Sequence, residues 1–169
     1  GKRRVYAAVG NCLIGDVNNT KESMAVAWMN GSNVATMVGY VVTTWHGRNG
    51  WGALKYWVTN PQRYTLAEAT YINQQDFLYQ QNEWYPELIN ERYTYHEGFW
   101  SELECAAQRL SEVLGREIDM ENAQDWDMMG FWHDRDVLAY YGDPLWSVML
   151  QGVESEKDYT VESRIEGKK

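Results

Sequence analysis

An α/β fold with an open, mostly parallel sheet flanked by helices is what the sequence predicts, and three features predict it. Residues 5–9 are a short continuous apolar run stopped by Gly10-Asn11. Residues 21–30 carry Met24, Ala25, Val26, Ala27, Trp28 and Met29 directly before Gly31, and residues 34–42 form a second apolar run holding Ala35, Met37, Val38, Tyr40 and Val41. Continuous runs of this length fit strands covered on both faces, and an apolar segment ended by glycine fits a short buried helix. Strand, helix, strand is a βαβ unit. Its right-handed crossover sets the two strands parallel and brings their C-terminal ends to one edge, where open α/β sheets bind ligands.

The elements that follow are read from local signals. Residues 43–52 are rich in glycine and aromatics and read as a loop, and the apolar residues 53–58 end at Asn60-Pro61. Thr65-Leu66-Ala67-Glu68 is a capping box that opens a long helix to about Trp84. Ser101-Glu102-Leu103-Glu104 offers a second box, with Phe99 and Trp100 as an alternative start, for a helix that runs through Leu103, Ala106, Leu110, Val113 and Leu114 to Gly115. Cys105 lies inside it as a packing residue. Gly142-Asp143-Pro144 is a turn, residues 145–150 read as a strand, and residues 159–165 alternate at period two as a half-exposed strand would. No linker splits the chain, so residues 1–152 form one unit and residues 153–169 a strand-like tail.

Composition removes several function classes. The 169 residues carry 15 Lys and Arg against 24 Asp and Glu, a net charge of −9, which repels nucleic acid and anionic membranes at long range. No apolar run reaches the roughly 20 residues of a membrane-spanning helix. Only Cys12 and Cys105 are present, which rules out a disulfide-stapled scaffold and leaves one bridge or two free thiols. Residues 97–136 hold 11 of the 24 acidic residues and read as solvated helix surface. Gly1-Lys2-Arg3-Arg4 directly before a strand reads as a proteolytically cut start.

Cys12 is the best placed nucleophile, because a thiol at the open end of a strand meets substrate while the sheet holds it. Its competing reading is a small buried packing residue, the commoner fate of a free cysteine. A cysteine nucleophile usually works with a histidine. Of the three histidines, His46 hangs over the same sheet edge as Cys12, either as a base or as a pocket wall. His133, in Trp132-His133-Asp134-Arg135-Asp136, has carboxylate neighbours without specific metal-ligand spacing and reads as a surface turn; His96 shows no partner pattern.

Three stretches together resemble the gingipain-like cysteine peptidases. In Val9-Gly10-Asn11-Cys12-Leu13-Ile14-Gly15-Asp16, the placing of Gly15 and Asp16 after Cys12 is similar to that family's nucleophile turn. Residues 25–45 are similar to its helix, apolar strand and tryptophan-bearing substrate loop, with Trp45 as pocket wall. Tyr141-Gly142-Asp143-Pro144-Leu145 is similar to the turn that closes its catalytic domain before an immunoglobulin-like module, which residues 159–165 would begin. The resemblance implies a caspase-like fold and thiol peptidase chemistry on a peptide or protein substrate. Cys12 would be the nucleophile, Asn11, Gly15 and Asp16 would shape the oxyanion or nucleophile loop, and Thr44, Trp45 and His46 would line the pocket.

It further implies that the catalytic histidine lies in a His-Gly motif upstream of Gly1, on a second polypeptide carrying the N-terminal half of the domain. No catalytic cofactor is implied, a structural calcium ion is admitted, and the location is secreted or at a bacterial cell surface. The reading from a different class is a non-catalytic module in which Trp45, Trp51 and Tyr56 grip a peptide or glycan. A purely structural half-domain is a third.

Overall fold

The computed structural model describes residues 3–10, 12–18, 21–96 and 98–145. The strand predicted at 145–150, the tail 153–169 and Asn11 of the nucleophile turn therefore lie outside the described residues, apart from Leu145. Strand β1 (Arg4–Ala8) runs parallel to β2 (Val34–Tyr40), joined by helix α1 (Met24–Gly31), as the βαβ pattern requires. A third strand, β3 (Leu138–Gly142), pairs antiparallel with β2, giving the order β1-β2-β3. The sheet is therefore mixed, which corrects the mostly parallel expectation: β3, reached after α5, runs opposite to β2 instead of entering through another parallel crossover.

Side chains alternate across the sheet. Tyr6, Met37 and Tyr141 lie in register and face α1, where Ala25, Val34 and Met37 form one core with Trp28 and Met29 packed against it. Their neighbours Ala7, Val38 and Tyr140 face the opposite side and pack with Val9, Trp57, Leu66 and Ala69. That side is covered by α2 (Arg48–Thr59) and α3 (Leu66–Trp84). The α3 capping box is formed in full: the Glu68 N–H donates to Thr65 Oγ1, and the Thr65 N–H donates to Glu68 Oε2. Such a cap contributes about 1 kcal/mol.

Helix α2 begins at Arg48, so half of the glycine-rich segment 43–52 is helical rather than loop. Its glycines serve close packing: a Cβ at Gly50 would run into the Tyr40 hydroxyl and Val9, and one at Gly52 into the Asn73 amide. Helix α4 (Phe99–Leu114) begins at Phe99 with Gly98 as its cap, and Ser101 sits inside the first turn, donating to the Gly98 carbonyl. Cys105, expected as a packing residue, is exposed.

The largest departure lies between Glu121 and Asp136. Helix α5 (Ala123–His133) is capped by Asn122 and buries Met128, Met129, Phe131, Trp132 and His133. With Leu88, Tyr93, Leu103, Leu110 and Ile118 it builds a third core, away from the sheet. His133 is thus no surface turn, and Glu102, Asp125 and Asp134 are buried, so the acidic stretch is not uniformly solvated surface. A helix covered all round shows no apolar stripe for sequence periodicity to detect. No helix among the described residues is long and apolar enough to cross a membrane.

Candidate functional site at the open end of the parallel strands

Because β1 and β2 are parallel, the turn after β1 and the loop after β2 leave the sheet side by side. In the first, Val9 and Ile14 are buried while Cys12 is exposed. The packing reading of Cys12 is thereby overturned. The turn is held from below: the Gly15 N–H donates to the Tyr40 carbonyl at 2.9 Å and the Tyr141 hydroxyl to the Gly15 carbonyl at 2.5 Å. Gly15 lies so close to Gly39 that a Cβ at either position would overlap the other strand's backbone or Ile14. Asp16 closes the turn, accepting the Asn18 N–H at 3.0 Å and donating its own N–H to Leu13.

The loop 43–47 is organised by a residue from the opposite end of the chain. Asp134 is fully buried, and its carboxylate accepts the backbone N–H groups of Trp45 at 2.6 Å, His46 at 2.5 Å and Gly47 at 2.9 Å. The His133 ring adds a fourth contact, Nδ1 lying 3.0 Å from Asp134 Oδ1. Burial would raise the Asp134 carboxyl, but these hydrogen bonds, His133 first, outweigh it and hold the group below the ordinary carboxylate range. Thr44 Oγ1 also accepts the Gly47 N–H. Asn49 clamps the same junction, its side-chain amide donating to the carbonyls of Asp134 and Arg135.

Tyr40 joins the two segments. Its hydroxyl donates to the Gly47 carbonyl at 2.7 Å, accepts the Gly50 N–H at 2.8 Å, and feels the electrostatic influence of Cys12. Burial pushes this phenol up to about 12, so it stays neutral.

Trp45 forms the centre of an aromatic wall, 4.5 Å from Trp126, 5.7 Å from His133 and 6.4 Å from Phe99 between ring centres. Gly130 of α5 lies directly beneath Trp45 and His46, where a Cβ would strike both rings. His46 Nε2 is 3.4 Å from Asp127 Oδ1 but outside hydrogen-bonding direction, and neither it nor Trp45 Nε1 has a hydrogen-bond partner, although both atoms are buried. Asp127 is engaged by Arg48 at 2.6 Å. Burial and, after it, the Arg48 charge lower His46 below the usual imidazole value despite Asp127 and Asp134. His46 is therefore a neutral ring at pH 7.

The structure thus holds Thr44, Trp45 and His46 in one loop, Trp45 and His46 lying over Gly130 of α5, and sets Cys12 on the neighbouring turn. Among the described residues no hydrogen bond or ion pair links Cys12 to a histidine. Sequence reasoning missed Asp134, His133, Tyr40 and Gly130. His133 sits between two carboxylates, with Nε2 3.3 Å from Glu102 Oε1, and Tyr93 donates to that same oxygen. The available signal was the apolar run Met128-Met129 and Phe131-Trp132 ending in His133-Asp134, which is easier to bury than to expose. Among the described residues no group of three or more His, Cys, Asp or Glu is arranged to hold a metal ion. No protein-family model, curated protein or solved structure matches the chain.

Proposed function

We propose that this chain is the nucleophile-bearing part of a cysteine endopeptidase with a caspase-like fold. The observation that carries this reading is the placement of an exposed Cys12 on a rigidly held turn at the open end of β1, beside a loop fixed by Asp134. A rigid support matters because a nucleophile must meet its carbonyl within a few tenths of an ångström of the productive position.

The thiolate of Cys12 attacks the scissile carbonyl carbon, and the tetrahedral oxyanion is held by backbone N–H groups, that of Cys12 among them. The C–N bond breaks as the leaving amine takes a proton from a histidine, and water hydrolyses the resulting thioester. Thr44, Trp45 and His46 line the pocket for the residue before the cleaved bond. Among the described residues β1 pairs only with β2, and its other edge is where we place a strand carrying the histidine. That strand comes from the N-terminal half of the domain, on a second polypeptide of a secreted or surface-held bacterial enzyme.

The test is labelling of the purified protein, with its copurifying partner, by a peptidyl acyloxymethyl ketone, read by intact mass and peptide mapping. Selective modification of Cys12, with peptide cleavage lost in Cys12→Ala and kept in Cys105→Ala, is expected. Equal loss in both variants would overturn the assignment.

A second reading, a non-catalytic module that binds a peptide or glycan, is favoured by one observation: Trp51, Phe99 and Trp100 are exposed. Exposed aromatic faces suit such ligands. An electrophile that labels neither cysteine selectively, together with saturable peptide or glycan binding, would establish it.

A further inference from the structure

The sheet ends at β3, whose outer edge has no partner strand among the described residues. The Val41 N–H donates to the Val137 carbonyl at 2.9 Å and the Asp143 N–H to the Ala35 carbonyl at 3.3 Å, both in step with the β2–β3 register. Hydrogen-bonded residues alternate along an antiparallel pair, so residues 137, 139, 141 and 143 turn their backbone groups toward β2. Leu138, Tyr140 and Gly142 turn theirs outward. Such an edge is a template for another strand.

An apolar trough runs beside that edge. The side chains of Leu138 and Tyr140 lie on the α3 side of the sheet, and with Ala67, Thr70 and Tyr71 they line a hollow of about 470 Å³. Ala67 and Tyr71 also line a second hollow of about 310 Å³, together with Tyr64 and Ile72, so the two join along α3. A strand added to the edge sets every second side chain into this trough.

The next residues of the chain are placed to fill it. The turn begins directly after β3: Asp143 Oδ1 accepts the Leu145 N–H at 2.9 Å, and the Tyr140 hydroxyl donates to the Asp143 carbonyl at 2.8 Å. Trp146-Ser147-Val148-Met149-Leu150 follows, apolar but for Ser147 and without a charge. Five extended residues span about 17 Å, the length of the five-residue β3. Since β2 occupies the inner edge, a chain that doubles back meets the outer one.

We infer that residues 146–150 pair antiparallel with the outer edge of β3. A three-residue loop, 143–145, sets Trp146 opposite Gly142, Val148 opposite Tyr140 and Leu150 opposite Leu138. Opposed residues share a face, so Trp146, Val148 and Leu150 enter the trough while Ser147, the one polar residue of the run, points away from it. The pairing closes this edge against other chains. The outer edge of β1 is then the edge left for a strand from a second polypeptide.

Residue-resolved amide hydrogen exchange of the full-length protein tests the pairing, because the amides of Leu138 and Tyr140 are protected only if the outer edge is covered. Slow exchange is expected at Leu138 and Tyr140 as well as at Ala139 and Tyr141, which β2 protects. Val148→Pro removes the donor opposite Tyr140. It is expected to speed Leu138 and Tyr140 by about tenfold and to leave Ala139 and Tyr141 at their native rates. Fast exchange at Leu138 and Tyr140 in the native protein, or protection that Val148→Pro leaves untouched, overturns the pairing. Protection that disappears on dilution together with a species of twice the mass also overturns it, and assigns the edge to a second copy of the chain. None of these readouts involves Cys12, so the result is independent of whether the protein hydrolyses peptides.

Discussion

Asp134 holds His46 by the backbone and not by the ring: Oδ2 accepts the His46 N–H at 2.5 Å, across 88 residues of sequence, while the imidazole turns toward Asp127. The carboxylate thus fixes the loop's path without engaging the ring. Each of its oxygens receives two donors, Trp45 N–H and His133 Nδ1 at Oδ1, and His46 N–H and Gly47 N–H at Oδ2.

Asp134→Asn should therefore be strongly destabilising. An amide in either orientation sets its NH2 against two donors, and removing a buried, fully paired charge costs roughly 3–5 kcal/mol. Urea denaturation at pH 7 would measure the loss; a change below about 1 kcal/mol would contradict the role given to the carboxylate.

The same group sets an acid limit. Its pKa is lower in the folded than in the unfolded protein, so the unfolded state binds the proton first as pH falls. The stability it contributes is complete above the unfolded value of about 4 and disappears as pH drops through the folded value. The stability difference between the native protein and Asp134→Asn should be level from pH 7 to about 5 and narrow below about 4.

His46 titrates in the other accessible range. With its pKa lowered by burial and by Arg48, it should show an NMR midpoint below the ordinary value of about 6.5. Asp127→Asn should lower that midpoint further and Arg48→Gln should raise it, because the two groups act with opposite sign. Its contribution to stability is present above about pH 6.5 and is lost as pH falls through the folded midpoint.

Gly130→Ala tests the contact beneath the aromatic wall. The added methyl meets Trp45 and His46, and overpacking of this kind costs about 1–3 kcal/mol. Near-UV circular dichroism should change through displacement of Trp45 from Trp126, and peptide binding or cleavage should weaken.

Gly15→Ala probes the other half of the site. Its methyl would run into the Gly39 backbone, so the turn bearing Cys12 must move. The expected result is at least a tenfold slower reaction of Cys12 with a peptidyl electrophile, with Cys105 reacting as before.

The sequence by itself determined the local structure. The apolar runs specify the βαβ unit, although its helix ends with Gly31 as the last helical residue and Ser32 as the cap and buries only Ala25, and the reciprocal hydrogen bonds of Thr65 and Glu68 begin α3 where the capping box lies. Parallel pairing then requires the Cys12 turn and the Trp45 loop to share an edge. These features were legible because they depend on residues within a few positions of one another, or on a handedness that all such units obey.

Only the tertiary structure decided which residues complete the site. Helix α5 carries no apolar stripe because its residues 128–133 are all buried in succession, and β3 joins the sheet at a position that no local pattern encodes. Asp134 looks in sequence like one more charge in an acidic stretch. It becomes the organiser of the loop because folding carries it out of water to three backbone donors 87 to 89 residues away, where a carboxylate is stable only with all of those hydrogen bonds made. Burial and long-range pairing are properties of the packed chain, and it is they that turn a sheet edge holding a thiol into a defined site.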